Sequence, residues 1–312
     1  MKSFNAGTND DGVRLSRFCE KVCPNIPKNL LHKSFRNKRI KVNGKKQAED
    51  YRIKQDDLIE LYINDEFFDS RDGKSFETVA FDSLNILYED ENIMLIFKPT
   101  GVLCHSDNKN ESNIVDMLKS YLYQKGEYCP TDENTFTPAL CNRIDQGTDG
   151  IIIGAKKYKA LAEMNRLLAE DMLIKQYICV ITGNLEDGEY KAFLSRDLTQ
   201  KRVTITKHSA IASKEIVTEF KVLQKKGTLK LVECTLRTGR THQIRAHLAF
   251  LGCPILGDKK YGKSIVGLES QLLSGYKLTF KEIPTNSPLS YLSNKVFKCE
   301  DCNATRYFNK LK

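Results

Sequence analysis

Three short segments of this chain bring together side chains that could do chemistry. In Asn142-Arg143-Ile144-Asp145-Gln146-Gly147-Thr148-Asp149-Gly150, a carboxylate stands between an arginine and a glycine-bearing turn, directly before an apolar run. A carboxylate at such a strand junction is presented at a sheet edge, where it can act as nucleophile or base. Alone, the segment fits more simply an aspartate that bonds its own turn backbone. The second segment is Thr238-Gly239-Arg240-Thr241-His242-Gln243-Ile244-Arg245. It gathers polar groups where a helix is expected to start, with Thr241 as N-cap and an end near Gly252. Helix N-termini hold anions through their backbone N–H groups and dipole. Ile244, Leu248 and Leu251 would form the buried face, with Arg245 off it. His242 and His247 fall on different helix faces and the His-Glu-x-x-His order is absent, so they do not read as a zinc pair. The third segment is Lys175-Gln176-Tyr177, at the head of a strand, where a tyrosine by itself is ordinarily core or sheet surface.

The elements that must position these groups fall into three regions. From Gly12 to Ile63, Val13, Leu15, Phe18 and Val22 recur at helical spacing until Pro24, and a second helix follows Pro27. Arg39-Ile40-Lys41-Val42-Asn43-Gly44-Lys45 reads as a hairpin turning at Asn-Gly, and Leu58 to Ile63 as a closing strand. Residues 64–83 are polar around Arg71-Asp72-Gly73-Lys74 and read as a linker, with Phe67 and Phe68 able to dock on a neighbour. Residues 84–284 alternate strands (Ile86–Tyr88, Ile93–Phe97, Gly150–Ala155, Ile174–Ile181) with an amphipathic helix marked by Leu161, Met164 and Leu168. Lys225-Lys226-Gly227 turns a hairpin. The order is no strict βαβ alternation, so the fold class expected is α+β with a mixed, largely antiparallel sheet, preceded by a small α+β domain. Residues 285–312 read as a C-terminal tail.

The chain has 312 residues, 40% hydrophobic and 29% charged, enough for one large domain and a small one. No apolar run reaches a membrane span and the start lacks a signal-peptide core, so a cytoplasmic location without membrane contact is expected. The ten cysteines are scattered through apolar stretches and read as reduced thiols. Cys299-Glu300-Asp301-Cys302 could be half of a zinc site, but a second pair is missing, and no metal is expected. The net charge of +9 is uneven: between Lys21 and Ala48 there is no acid but nine lysines and arginines. Such a run is an electrostatic footprint for phosphates, or else an ordinary solvated face.

Together the motifs resemble the RluA family of pseudouridine synthases over residues 84–262. Ile93-Met94-Leu95-Ile96-Phe97-Lys98-Pro99-Thr100-Gly101 is similar to that family's opening strand and Lys-Pro-x-Gly turn. Residues 142–150 are similar to its His-Arg-Leu-Asp-x-x-Thr-Ser-Gly motif. Thr238 to Arg245, with Leu251-Gly252-Cys253-Pro254-Ile255-Leu256-Gly257-Asp258 and Tyr261-Gly262, is similar to its third. The resemblance implies an isomerase that turns uridines of structured RNA (ribosomal, with transfer RNA as the other option) into pseudouridine after flipping them out. It implies Asp145 as catalytic aspartate, Tyr177 as the tyrosine that stacks on the base and removes a proton late, and Arg245 as partner of Asp145. Arg143 would fill the vacated place in the RNA. Asn142 and Asp149 depart from the histidine and serine usual there, and Asp149 would put an extra carboxylate near phosphate. The basic region, through Arg39 to Gly44, resembles the alpha-L RNA-binding motif. RNA contacts are expected from Lys33, Arg36, Lys38, Arg39, Lys41 and Lys45, and from Arg240 and His242. The chemistry needs no cofactor, and a monomer is expected. The competing reading is a catalytically inactive RNA-binding or ribosome-assembly factor on the same fold.

Overall fold

The computed structural model describes residues 1–68, 76–82, 84–106, 112–197 and 202–311. The first unit holds β1 (Lys2–Asn5), α1 (Leu15–Val22), α2 (Lys28–Arg36), β2 (Ile40–Val42), β3 (Lys45–Lys46) and β4 (Leu58–Leu61). Its sheet runs β1-β4-β2-β3, all antiparallel. Asn43 and Gly44 both take positive φ, 52° and 74°, which suits the mirror-image turn of a two-residue hairpin. Leu15, Phe18 and Val22 of α1 and Leu31 and Phe35 of α2 close a core against Ile40, Ile59 and Leu61. This unit starts ahead of the expected boundary at residue 12, because β1 hydrogen-bonds along β4. It also reaches past residue 63, since Phe68 is buried in the same core and stacks on Phe4 at 6.1 Å. The centre of the expected linker, Arg71 to Lys74, lies outside the described residues.

The larger unit begins with β5 (Asn85–Glu89), β6 (Ile93–Lys98), α3 (Ile114–Gln124), β7 (Ala139–Leu140) and β8 (Asp149–Ala155). It continues through α4 (Tyr158–Ala169), β9 (Leu173–Thr182), β10 (Gly188–Asp197), β11 (Arg202–Thr206), β12 (Lys214–Lys226) and β13 (Leu229–Leu236). Then come α5 (Gln243–Phe250), β14 (Leu273–Phe280), β15 (Val296–Lys298) and α6 (Asn303–Lys310). The eleven-stranded sheet follows the order β11-β10-β12-β13-β9-β14-β8-β6-β5, with β7 on β8 and β15 on β14. Every pairing is antiparallel except β14 with β8. The α+β expectation with a mostly antiparallel sheet holds.

Helices cover both faces, which is why the central strands read as unbroken apolar runs rather than alternations. On β6, Ile93, Leu95 and Phe97 face one core with α4 and α6, while Met94 and Ile96 face α3 on the other side. The stretch expected as a tail is therefore part of the fold over residues 285–311. β15 extends the sheet, and Cys302, Ala304 and Phe308 are fully buried in the main core. Sequence reading missed this because α6 is only eight residues long and its apolar positions are few.

The two units touch through named contacts. The buried Asp10 accepts from Asn134 Nδ2 at 2.7 Å and Thr135 Oγ1 at 2.6 Å. Asn9 Oδ1 takes the backbone N–H of Tyr158 at the head of α4, and Lys159 pairs with Asp11 at 2.5 Å.

Candidate active site

Asp145 sits in the turn that leads into β8, closed by the Thr148 N–H donating to the Asp145 carbonyl at 3.0 Å. Opposite it, Arg245 projects from the first turn of α5. Its Nη1 donates to Asp145 Oδ2 at 2.6 Å. Nε and Nη2 grip both oxygens of Asp258, at 2.7 and 2.9 Å. Arg245 and Asp258 are almost wholly buried, whereas the Asp145 carboxylate keeps 27% exposure. A buried guanidinium shared in this way is a rigid charge. Burial works against its charged form, and the Asp258 bonds and charge more than offset that, so its pKa rises.

The residue before α5 differs from expectation. The N-cap is His242, in the left-handed region at φ 53°, and not Thr241. That conformation turns the imidazole inward, where Nε2 lies 3.7 Å from Asp145 Oδ2 and Nδ1 lies 2.9 Å from the Tyr261 hydroxyl. Burial, and then the nearby Arg245, hold the His242 pKa below its ordinary value against the pull of Asp145.

Tyr177 lies on β9 between Cys234 of β13 and Gly275 of β14. Its ring packs on Gly275, where an added Cβ would come within 3.2 Å of Cε1. Gly275 in turn pairs with Gly150, whose φ of 142° and contact with the Gly275 backbone exclude any side chain. The two glycines let β8 approach β14 closely enough to set Asp145 beside Tyr177. Burial, and then the Asp145 charge, push the Tyr177 phenol above its usual pKa, so it is neutral at physiological pH.

Asp145, Tyr177 and Arg245 line one cleft of about 550 Å³, with Arg143, Arg240 and His242 at its walls. That volume lies within the rough 300–1,000 Å³ range of ligand sites. The cleft offers a carboxylate fixed by a guanidinium, a neutral aromatic face and exposed cations at the mouth. It does not include Lys33, Arg36, Lys38, Arg39, Lys41 or Lys45, which lie on the smaller unit, all exposed except the half-buried Lys41.

A family model described as RNA pseudouridylate synthase matches residues 92–250. An uncharacterized RNA pseudouridine synthase of Mycoplasma capricolum is 32% identical over 302 residues, covering 95% of this chain and 96% of its own. The chain belongs to the RNA pseudouridine synthase family. The ribosomal large subunit pseudouridine synthase C of Rickettsia conorii is 31% identical, over 80% of this chain and 82% of its own. Among solved structures, human RNA pseudouridylate synthase domain containing 4 superposes with a TM-score of 0.53 at 23% identity, over 69% of this chain and 87% of that one; this likeness concerns the fold. This RNA pseudouridine synthase is accordingly an isomerase whose substrate is RNA.

Two residues of the synthase that sequence reading left without a role support its cleft. Asp258 orients Arg245 and also accepts the backbone N–H groups of Lys260 and Tyr261 at 2.9 and 3.1 Å. Lys98 is fully buried, and its ammonium donates to the carbonyls of Pro99, Val102 and Gln146 at 2.9, 2.8 and 3.1 Å. Burial brings the Lys98 amine down to about 8. Both residues stand in the motifs quoted above, but their roles depend on segments that meet only in the fold. Asp149 does not face phosphate. It is buried, accepting from Ser274 Oγ at 2.5 Å and from the Asn303 N–H of α6 at 2.9 Å. Asn142 likewise turns inward, accepting from the Ile153 N–H at 2.8 Å. Cys302 is buried under α6 against Thr305, and no group of three metal-type ligands occurs among the described residues.

Proposed function

We propose that Asp145 is the catalytic carboxylate of this synthase and that ribosomal RNA is its substrate. The observation that carries the first part is the 2.6 Å bond from Arg245 to Asp145 Oδ2 in a cleft that also presents Tyr177. The name borne by the Rickettsia conorii relative supports the second.

A uridine inside folded RNA must leave its stack to reach the cleft, at a cost of roughly a few kcal/mol. Arg143 and Arg240, exposed at the mouth, are placed to hold phosphates, with Arg143 entering the vacated position. Stacking on Tyr177 returns about 1–3 kcal/mol. Asp145 then attacks the ribose or removes a proton from it, and the N1–C1′ bond breaks. The uracil rotates while held, a C5–C1′ bond forms as Asp145 leaves C1′ or returns its proton to the ribose, and the hydrogen on C5 leaves as N1 regains one. The neutral Tyr177 hydroxyl can take the C5 proton only by handing its own on, and Asp145 is the nearby base to receive it. Arg245 holds the Asp145 carboxylate in position through its 2.6 Å bond to Oδ2.

The smaller basic unit, read as an alpha-L RNA-binding domain, would dock structured RNA through Lys33, Arg36, Lys38, Arg39, Lys41 and Lys45. Among the described residues no helix is long and apolar enough to cross a membrane. We read the protein as a cytoplasmic, monomeric enzyme divided into an RNA-binding unit and a catalytic unit.

The test is Asp145→Asn, assayed by tritium release from C5-labelled uridine in unmodified ribosomal RNA. Turnover should fall by about 10³-fold or more while RNA affinity stays within about threefold. Residual turnover near the wild-type rate would remove Asp145 from this role.

A further inference from the structure

A second concavity, of about 720 Å³, is lined by Arg245, which also lines the catalytic cleft, and by Gln146 and Gly147 of the turn that follows Asp145. Its far walls are the Lys259-Lys260 loop and α6, the helix that lies beyond the family-matched residues. We propose that this groove holds the sugar-phosphate backbone of the RNA strand flanking the target nucleotide, with α6 as its outer wall. The proposal rests on the RNA-modifying reading above and extends it to a segment that the family motifs do not describe.

Charge is the first support. Apart from Arg245, already engaged by two carboxylates, the groove carries Lys259, Lys260, Arg306 and Lys310 against the single carboxylate of Glu269. Arg306 also lies 3.4 Å from Asp301, and the balance remains positive. Lys259, Arg306 and Lys310 are exposed, as phosphate-binding cations should be. Burial, and then the nearby Arg245 and Arg202, hold the Lys260 amine below its ordinary pKa. An anion seated there would relieve that repulsion.

Both walls are also built in place, and both are tied to the catalytic residues. Asp149, which departs from the family's serine, accepts the first N–H of α6, and Asn303 Nδ2 donates to Thr100 Oγ1 at 2.5 Å. At the other end of α6, Lys226 Nζ donates to the Phe308 and Leu311 carbonyls at 3.2 and 2.6 Å, satisfying groups the helix leaves unpaired. The opposite wall hangs from Asp258, which takes the Lys260 N–H at 2.9 Å while orienting Arg245. Tyr307 adds an aromatic face between the cations, on which a flanking base can stack. A cationic groove that shares Arg245 with a base-sized cleft gives a single strand a place to run when one of its nucleotides is swung out.

The test titrates a labelled, unmodified transcript of large-subunit ribosomal RNA with the full-length protein at several salt concentrations. Wild type is compared with Lys259→Glu/Lys310→Glu and with Lys259→Arg/Lys310→Arg. The charge-reversed protein should bind about tenfold more weakly or worse, with a log K against log salt slope shallower by about 1 to 2. Its KM in the tritium-release assay should rise accordingly, and the arginine pair should recover most of the affinity. Unchanged affinity and slope on charge reversal, or an equal loss with arginine, would overturn the groove. Both positions are exposed, so thermal melting should show the variants folded. A wild-type protein that binds the transcript without releasing tritium would defeat the catalytic reading alone, and the binding comparison would still decide the groove.

Discussion

At the scale of single residues, the site depends on how one guanidinium divides its donors. Asp258 takes Nε and Nη2, leaving Nη1 to Asp145 Oδ2. Arg245 therefore cannot drift to a bidentate grip on Asp145, the carboxylate proposed as catalytic. Removing Asp258 leaves Arg245 buried with only one partner. We expect Asp258→Ala to cost about 3–5 kcal/mol of stability in urea titration. At a temperature where the variant is folded, single-turnover isomerisation should slow by roughly 10–100-fold. RNA affinity should hardly change, and an unchanged single-turnover rate would deny Asp258 a positioning role. Asp145, Tyr177 and Arg245 were legible because each stands in a short run of unusual residue types. Lys98 and Asp258 were not, since nothing local distinguishes a surface lysine or a turn aspartate from one that its distant partners bury.

At the scale of elements, α5 couples the site to the sheet through its buried polar face. His247 is almost fully enclosed, with Nδ1 3.2 Å from Thr218 Oγ1 of β12 and its ring against Phe220 and Tyr190 at 5.6 and 6.4 Å. Burial lowers its pKa to about 4. The unfolded chain, with an ordinary histidine near 6.5, binds the proton first, so the stabilising effect is complete above about pH 6.5. It is lost as pH falls toward 4, by up to roughly 3 kcal/mol. The lowered carboxylates such as Glu89, at about 2, add their losses only below their ordinary range, so above pH 4.5 the decline comes from the two histidines that burial holds down, His247 and His242. Urea midpoints measured from pH 7.5 to 4.5 should decline in the wild type, and His247→Gln should lessen that decline. A slope undiminished by the substitution would assign it elsewhere. The helix itself was legible from its spacing, but its start was displaced by one residue. His242 keeps that left-handed backbone with its ring against Tyr261, at 5.6 Å between ring centres.

At the scale of the whole molecule, the basic unit is held against the catalytic unit by a buried carboxylate rather than by apolar contact alone. Asp10 accepts from Asn134 and Thr135 of the larger unit and from its own Gly7 N–H at 2.9 Å. Charge-assisted bonds of this kind contribute about 1.5–3 kcal/mol each. A fixed spacing between the cationic surface and the cleft would let the protein select uridines by their distance from a docked RNA feature. Asp10→Ala should loosen the arrangement, enlarging the radius of gyration in small-angle scattering and lowering kcat/KM on long RNA. Identical scattering curves for variant and wild type would show that the contact does not hold the units together.

The residue order alone determined the apolar strands, the Asn-Gly hairpin, the acid-free basic run and the three segments that converge on the cleft, because each is written within about ten neighbouring positions. Tertiary structure alone decided that residues 285–311 complete the core, that Asp149 anchors α6, and that one arginine bridges two aspartates. Those outcomes join side chains 13 to more than 150 positions apart. Whether such groups meet depends on the free energy of the assembled sheet, which no local pattern encodes.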